Sequence, residues 1–364
     1  VTSMQRSTTR SDWSKICDLT PRPHTPPVLA DMSTTTLSLD EIHSLICDCL
    51  VANGCDDENA AAVARTIGGA ERDGAAAHGL FRLPGYVASL RSGKVNGCAR
   101  PTCDPLTLAA LRMNGDDGFA PLAIETGIPM LAEAAHVTGL AVLLIRNSFH
   151  FAALWPEVEA LAEQNLVGLA CTVHTPMVAP FGARSAFFST NPLAFAYPRP
   201  GQHPYVFDMA TAAMSQGDIR VAARDGVPVA ADVGVDADGN ATSDAAAIDD
   251  GGVILPFGGF KGSAIATMIE LLAAGVVGDA FSYEAGERDN RDGGPAKGGE
   301  LIMALSPRLL AGSDWSEHSD GFLSRLEGMD GVRLPSARRF SRRSSPDGRE
   351  VNTALLAEIR QLTT

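Results

Sequence analysis

Several familiar signatures are missing from this chain, and each absence narrows the choices. There is no GxGxxG fingerprint and no GxxxxGK[ST] loop, so neither a Rossmann dinucleotide turn nor a P-loop is written in its usual form. There is no GxSxG elbow of the kind that presents a serine nucleophile. None of the seven cysteines forms a CxxC pair; Cys47 and Cys49 fall inside a helical pattern with no histidine cluster beside them. No metal ligand set is therefore read, and reduced thiols in the cytoplasm are expected. No apolar run reaches the length of a membrane span, and no secretory signal or internal repeat is visible. Positive charge is scarce: the net charge of −14 disfavours nucleic acid or an anionic membrane as partner.

What is present fits a soluble globular protein of two or three lobes, with 364 residues and 45% hydrophobic content. Residues 1–31 are rich in Thr, Ser, Arg and Pro and read as disordered; the extension is taken to residue 36, with Met32 as the functional start. A transit peptide is the competing reading.

Ser38-x-x-Glu41 is a capping box opening a helix that stops at Asn53-Gly54. A second helix is expected over 57–72, then a strand over 106–113 with a turn at 114–118, and a helix over 120–136. A buried-type strand over 140–145 leads to a helix starting near His150. Strands follow at 166–173 and 205–207, a hairpin around 236–239, and a helix over 263–274. Residues 284–300 read as a flexible excursion before a strand at 301–305. A helix over 313–329 is expected to dock on the N-terminal helices, and the arginine run 338–343 to be solvated or intersubunit. The fold class is α+β: a helical lobe from 37–100 and 306–364, and a middle lobe over 101–305 built around a sheet.

The candidate chemistry centres on residues 71–86, ERDGAAAHGLFRLPGY. His78 stands four residues before Arg82, so a helix would place both on one face. An imidazole trades protons near neutrality; a guanidinium grips a carboxylate through two parallel bonds. Together they suit reduction of a small acid at the carbon beside its carboxylate. A surface helix with a stray His and Arg is the competing reading. Residues 180–198 hold Ser189-Thr190-Asn191-Pro192, a polar turn suited to substrate or cofactor, or a simple strand connection. In 256–262, PFGGFKG, glycines, Lys261 and a helix N-terminus offer a phosphate seat; a glycine turn with a surface lysine is the alternative.

The stretches His78-Gly79-Leu80-Phe81-Arg82-Leu83-Pro84-Gly85-Tyr86, His150-Phe151-Ala152-Ala153-Leu154-Trp155, Thr190-Asn191-Pro192 and Gly258-Gly259-Phe260-Lys261-Gly262-Ser263 resemble the type-2 malate/L-lactate dehydrogenase family. The similarity runs from about Leu37 onward and looks nearest to its Δ1-piperideine-2-carboxylate/Δ1-pyrroline-2-carboxylate reductases. The resemblance implies a non-Rossmann NAD(P)-binding lobe around a largely antiparallel sheet, a homodimer, and NADPH, or NADH, as cofactor. It implies reduction of a cyclic imine carboxylate, with dehydrogenation of an open-chain 2-hydroxy acid as the alternative. By position it makes His78 the catalytic acid, with Asp218 tuning its charge, and gives Arg82 and Thr190 to substrate. His150, Phe151, Ala152, Ala153, Leu154, Asp208, Met209, Ala210, Phe260 and Lys261 would lie along the cofactor. Close relatives carry Ser where this chain has Ala77, and His where it has Gln216 and Phe260. A relay through a hydroxyl at position 77 is thus impossible here. Two rivals stand outside this family: a Ser-His-Asp hydrolase using Ser148 and His150, and a nucleotide-binding protein without chemistry.

Overall fold

The computed structural model describes residues 33–345 and 348–364. The reading of residues 1–31 as disordered lies outside the described residues. Helix Leu39–Ala52 turns Ile42, Ile46, Cys49 and Leu50 inward, and both capping-box bonds between Ser38 and Glu41 form at its start. Helix Asp57–Asp73 is capped by Asp56 and ends on Gly74, which adopts the left-handed conformation (φ 75°) that glycine takes without strain.

Twelve strands follow one another along the described chain: β1 (Thr34–Leu37), β2 (Thr102–Thr107), β3 (Ala110–Phe119), β4 (Leu140–Phe149), β5 (Val167–Thr172), β6 (Leu193–Tyr197), β7 (Tyr205–Met209), β8 (Gly234–Val235), β9 (Ala241–Thr242), β10 (Val253–Ile254), β11 (Lys297–Leu305) and β12 (Arg349–Asn352). Seven build one sheet in the order β2-β3-β4-β11-β5-β6-β7, and every pairing in it but β3–β4 is antiparallel. Its central strands are apolar because both faces are covered. Helices Ala120–Thr138 and Trp155–Ala162 contribute to a core with Leu143, Ile145, Ala170 and Ile302. Helix Phe260–Glu270 and its continuation to Val276 pack on Leu144, Cys171 and Leu301. Strands β8, β9 and β10 form a small sheet in the insertion that follows β7. The fold is α+β. Among the described residues no helix is long and apolar enough to cross a membrane.

Some expectations need correction. Residues 34–36 are not disordered: β1 pairs with β12, joining the two ends of the described chain. The expected strand at 106–113 is a hairpin of β2 and β3, and residues 114–118 lie inside β3 as a bulge with Asp116 and Asp117 at positive φ. Residues 284–300 are ordered by helix Ser282–Arg288 and by Asp289 and Asp292, which clamp Lys94 at 3.1 and 2.6 Å. Helix Trp315–Glu327 pairs with Tyr197, Arg199 and Gln202 beyond β6. Helix Thr353–Leu362 is the element that joins the N-terminal core, through Leu356 and Ile359.

Candidate active site

Residues 76–82 do not form one helix. Two 3-10 turns, Ala76–His78 and Leu80–Arg82, meet at Gly79, and helix Leu83–Arg91 starts after them. The buried carboxylate of Glu71 supplies the reason: its Oε1 accepts the Leu80 N–H at 2.7 Å and fills the space a Cβ at Gly79 would need. The chain is bent around that acceptor, and His78 and Arg82 are still presented within one short segment.

Arg82 donates from Nε to the Ala77 carbonyl at 2.8 Å, and its guanidinium carbon lies 4.3 Å over the Phe151 ring. Among the described residues no carboxylate lies within ion-pair distance of it. Burial, with Arg220 adding to it, makes its charge harder to hold than an ordinary arginine's, which leaves an unmet demand for an anion. His78 meets Trp155 edge to face, ring centroids 6.3 Å apart. Burial first, then the positive charges of Arg82 and His150, push its pKa down to about 4.

The charge tuning implied for Asp218 would act the other way, because a carboxylate beside an imidazole raises its pKa. Asp218 is exposed, and its carboxylate accepts a 2.7 Å bond from the Ser215 hydroxyl that caps its own helix. The helix reaches the site through backbone instead: a Cβ on Gly217 would stand 3.5 Å from that of Ala77. Asp218 does not pair with His78 here, so nothing from it offsets the cationic surroundings.

The expected helix at His150 starts later, at Trp155. Residues 150–154 form an irregular loop, and Asp208 at the end of β7 holds it. Asp208 Oδ2 accepts from the Leu154 and Trp155 amides at 2.8 and 3.2 Å, although burial raises its pKa to about 6. Ala153 and Leu154 are buried, Phe151 and Ala152 half-buried; Met209 is exposed and Ala210 half-buried beyond Asp208. Trp155 donates to Asp73 at 3.1 Å, and the guanidinium of Arg339 lies 4.8 Å over its ring. Arg343 binds both Asp73 and Glu159. The arginine run is thus drawn in part into the site's wall by two buried carboxylates, and is not simply solvated. Arg339 Nε and Nη2 make no hydrogen bond among the described residues, but they face the Asp73 and Glu159 carboxylates at 3.8 and 3.9 Å.

Beneath the loop, His150 Nε2 lies 3.5 Å from Glu157 and 3.9 Å from Glu300. A bulge between Gly298 and Glu300 turns the Glu300 side chain inward. Burial and the neighbouring Glu157 hold Glu300 well above the usual carboxylate range, while His150 works against them. Burial disfavours the charged His150, but Glu300 and Glu157 outweigh it and raise its pKa. These three offer a donor set that could also take a metal ion. Spacing rules could not find it, because Glu300 arrives from a distant strand. Ser148 Oγ is buried with no partner among the described residues, so it makes no Ser-His pair with His150.

Thr190 sits between two anchors. Ser189 accepts from the amides of His174 and Asn191, and Asn191 donates to Glu270 at 2.9 Å. The Thr190 carbonyl accepts from Thr211, which leaves its hydroxyl unpaired among the described residues. His174, which carries no local sequence signal, lies parallel to Phe151 in the same site. Phe260 and Lys261 are exposed at the open N-terminus of their helix; Phe260 touches Phe181, and neither forms a contact with His78, Arg82 or residues 150–154.

Comparison with known proteins agrees over nearly the whole described chain. The family model for malate/L-lactate dehydrogenase matches residues 37–360. A Δ1-pyrroline-2-carboxylate reductase of Pseudomonas fluorescens is 43% identical, over 90% of this chain and 98% of that protein. A Δ1-pyrroline-2-carboxylate/Δ1-piperideine-2-carboxylate reductase of Pseudomonas syringae pv. tomato is 42% identical, over 86% and 92%. The crystal structure of Δ1-piperideine-2-carboxylate reductase from Pseudomonas syringae superposes with a TM-score of 0.86, covering 90% of this chain and all of that one. The chain belongs to the malate/L-lactate dehydrogenase family.

Proposed function

We propose that this protein reduces Δ1-pyrroline-2-carboxylate and Δ1-piperideine-2-carboxylate to L-proline and L-pipecolate with NADPH. The observation that carries the reading is Arg82: a half-buried guanidinium, fixed through Nε, with no anion opposite it among the described residues, in the segment that holds His78. The substrate's 2-carboxylate supplies that anion, with the Thr190 hydroxyl as a second donor to it. The similarity to named imine reductases points the same way.

The surroundings fit a nicotinamide cofactor. Residues 150–154, held by Asp208 through the Leu154 and Trp155 amides, form the loop along which the cofactor would lie. When bound, the reduced cofactor supplies the hydride that C2 receives. The protein's part is alignment and a proton. In the free protein His78 is neutral near pH 7. Burial and the Arg82 charge depress its pKa; a carboxylate on Arg82 offsets the second, so His78 gains basicity as substrate docks and can hold a proton against the ring nitrogen. Protonated there, the imine carbon is the better hydride acceptor.

We also propose a homodimer in the cytoplasm. Phe260, Met268, Leu271 and Val276 are exposed along one helical stretch, near exposed Phe181 and Phe187, an apolar face that a second copy would cover. The six described cysteines are free. The test of the reaction is NADPH carrying deuterium at the transferable position: deuterium at C2 of the amino-acid product supports it, and an unlabelled product excludes it.

A further inference from the structure

We propose that His174 is a positioning residue for Arg82: through the Phe151 ring it keeps the guanidinium presented end-on, for a substrate with one carboxylate and no second anionic group. The assignment rests on the reading of Arg82 as the carboxylate ligand.

His174 is held at three points. Its backbone N–H donates to Ser189 Oγ at 3.0 Å, tying it to the turn that carries Thr190. Its Nε2 accepts the Ala296 N–H at 3.1 Å, which places the ring hydrogen on Nδ1, 2.9 Å from the Thr175 hydroxyl. The imidazole therefore cannot spin, and neither nitrogen is free for substrate. It lies 12° from parallel to Phe151, centroids 6.1 Å apart. Gly85 leaves room for Phe151: a Cβ there would stand 2.8 Å from Phe151 Cε1. Phe151 in turn carries the Arg82 guanidinium on its face, while the Ala77 carbonyl takes Nε. The two terminal nitrogens of Arg82 have no partner among the described residues, and they are the pair that meets a carboxylate end-on.

The charges around His174 favour a neutral ring. Burial and Arg82 act first and bring its pKa down to about 4; His150 and Lys94 act the same way, and Asp289 opposes them. Lys94 is already bound by Asp289 and Asp292. A neutral ring at this place does not repel the guanidinium and gives a second carboxylate nothing to bind.

Steady-state kinetics on His174→Ala, His174→Phe and Gly85→Ala test this, with Δ1-pyrroline-2-carboxylate, Δ1-piperideine-2-carboxylate and oxaloacetate as substrates and NADPH affinity read by fluorescence. For each imine, H174A should raise KM about tenfold, the scale of one displaced cation–ring contact, with kcat within about threefold and NADPH affinity changed by less than the imine KM. H174F restores a ring and should return KM to within about threefold of wild type. G85A presses on Phe151, and also on the Gly293 carbonyl of the segment that leads to Ala296, and should raise KM as H174A does. An active wild type with H174A unchanged in KM overturns the positioning role alone, as does a parallel loss of NADPH affinity. Oxaloacetate reduced as well as the imine overturns the one-carboxylate selection. A wild type inactive on both cyclic imines overturns the functional reading and this assignment with it.

Discussion

Glu71 accepts the Leu80 amide at 2.7 Å from beneath the junction of the two turns that carry His78 and Arg82. Burial raises the Glu71 pKa, while this bond and Arg349 favour its ionised form. Glu71→Ala leaves a buried N–H unpaired and should cost about 1–3 kcal/mol in denaturant unfolding. Glu71→Gln retains an acceptor and should lose clearly less. Equal stability of the two variants would show that the bond does not hold the segment.

His78→Ala should lower kcat by about 10²- to 10⁴-fold, the usual range for a lost general acid–base group. Its fluorescence-measured NADPH affinity should stay as in wild type. Unchanged turnover would remove His78 from the chemistry.

The His78 imidazole should titrate near pH 4 in the free protein, well below an ordinary histidine. Saturation with L-proline or L-pipecolate should move that titration upward, because the bound carboxylate offsets Arg82. NMR of the imidazole reads this directly. A midpoint that ignores the ligand would contradict the coupling between the two residues.

Arg82→Lys keeps a charge but loses the planar fork and its seat on Phe151. KM for the imine should rise at least about tenfold, on the scale of a charge-assisted bond, with a smaller change in kcat. An unchanged KM would rule out Arg82 as the carboxylate ligand.

Glu300→Gln tests the buried cluster. Folded Glu300 holds its proton more tightly than the unfolded chain does. Wild type should therefore match E300Q best in acid and lose stability relative to it as pH rises past the ordinary carboxylate range toward the raised value. Thermal unfolding from about pH 4 to about pH 9 measures the difference. Stability curves that stay parallel across that range would show that Glu300 carries no such shift.

Local chemistry was legible in the sequence, and convergence was not. The Ser38–Glu41 capping box and the Asn53-Gly54 stop can be read because a cap needs only neighbours. Residues 150–154 stand out only through the resemblance, and as the start of a helix; the loop they form and its anchor on Asp208 are not legible. Asp218 misled because its nearest acceptor and donor, Ser215, caps the same helix and holds the carboxylate away from His78. His174 and Glu300 carry no local mark. One is defined by a parallel ring across the site, the other by a bulge in β11, and both depend on pairings far apart in the chain.

The most direct measurement is the initial rate of NADPH oxidation by the wild-type protein, with Δ1-pyrroline-2-carboxylate and Δ1-piperideine-2-carboxylate set beside pyruvate and oxaloacetate. A guanidinium and an imidazole acting on a flat imine predict the highest kcat/KM for the two cyclic substrates. Preference for either open-chain acid would contradict that and make the protein a 2-hydroxy-acid dehydrogenase.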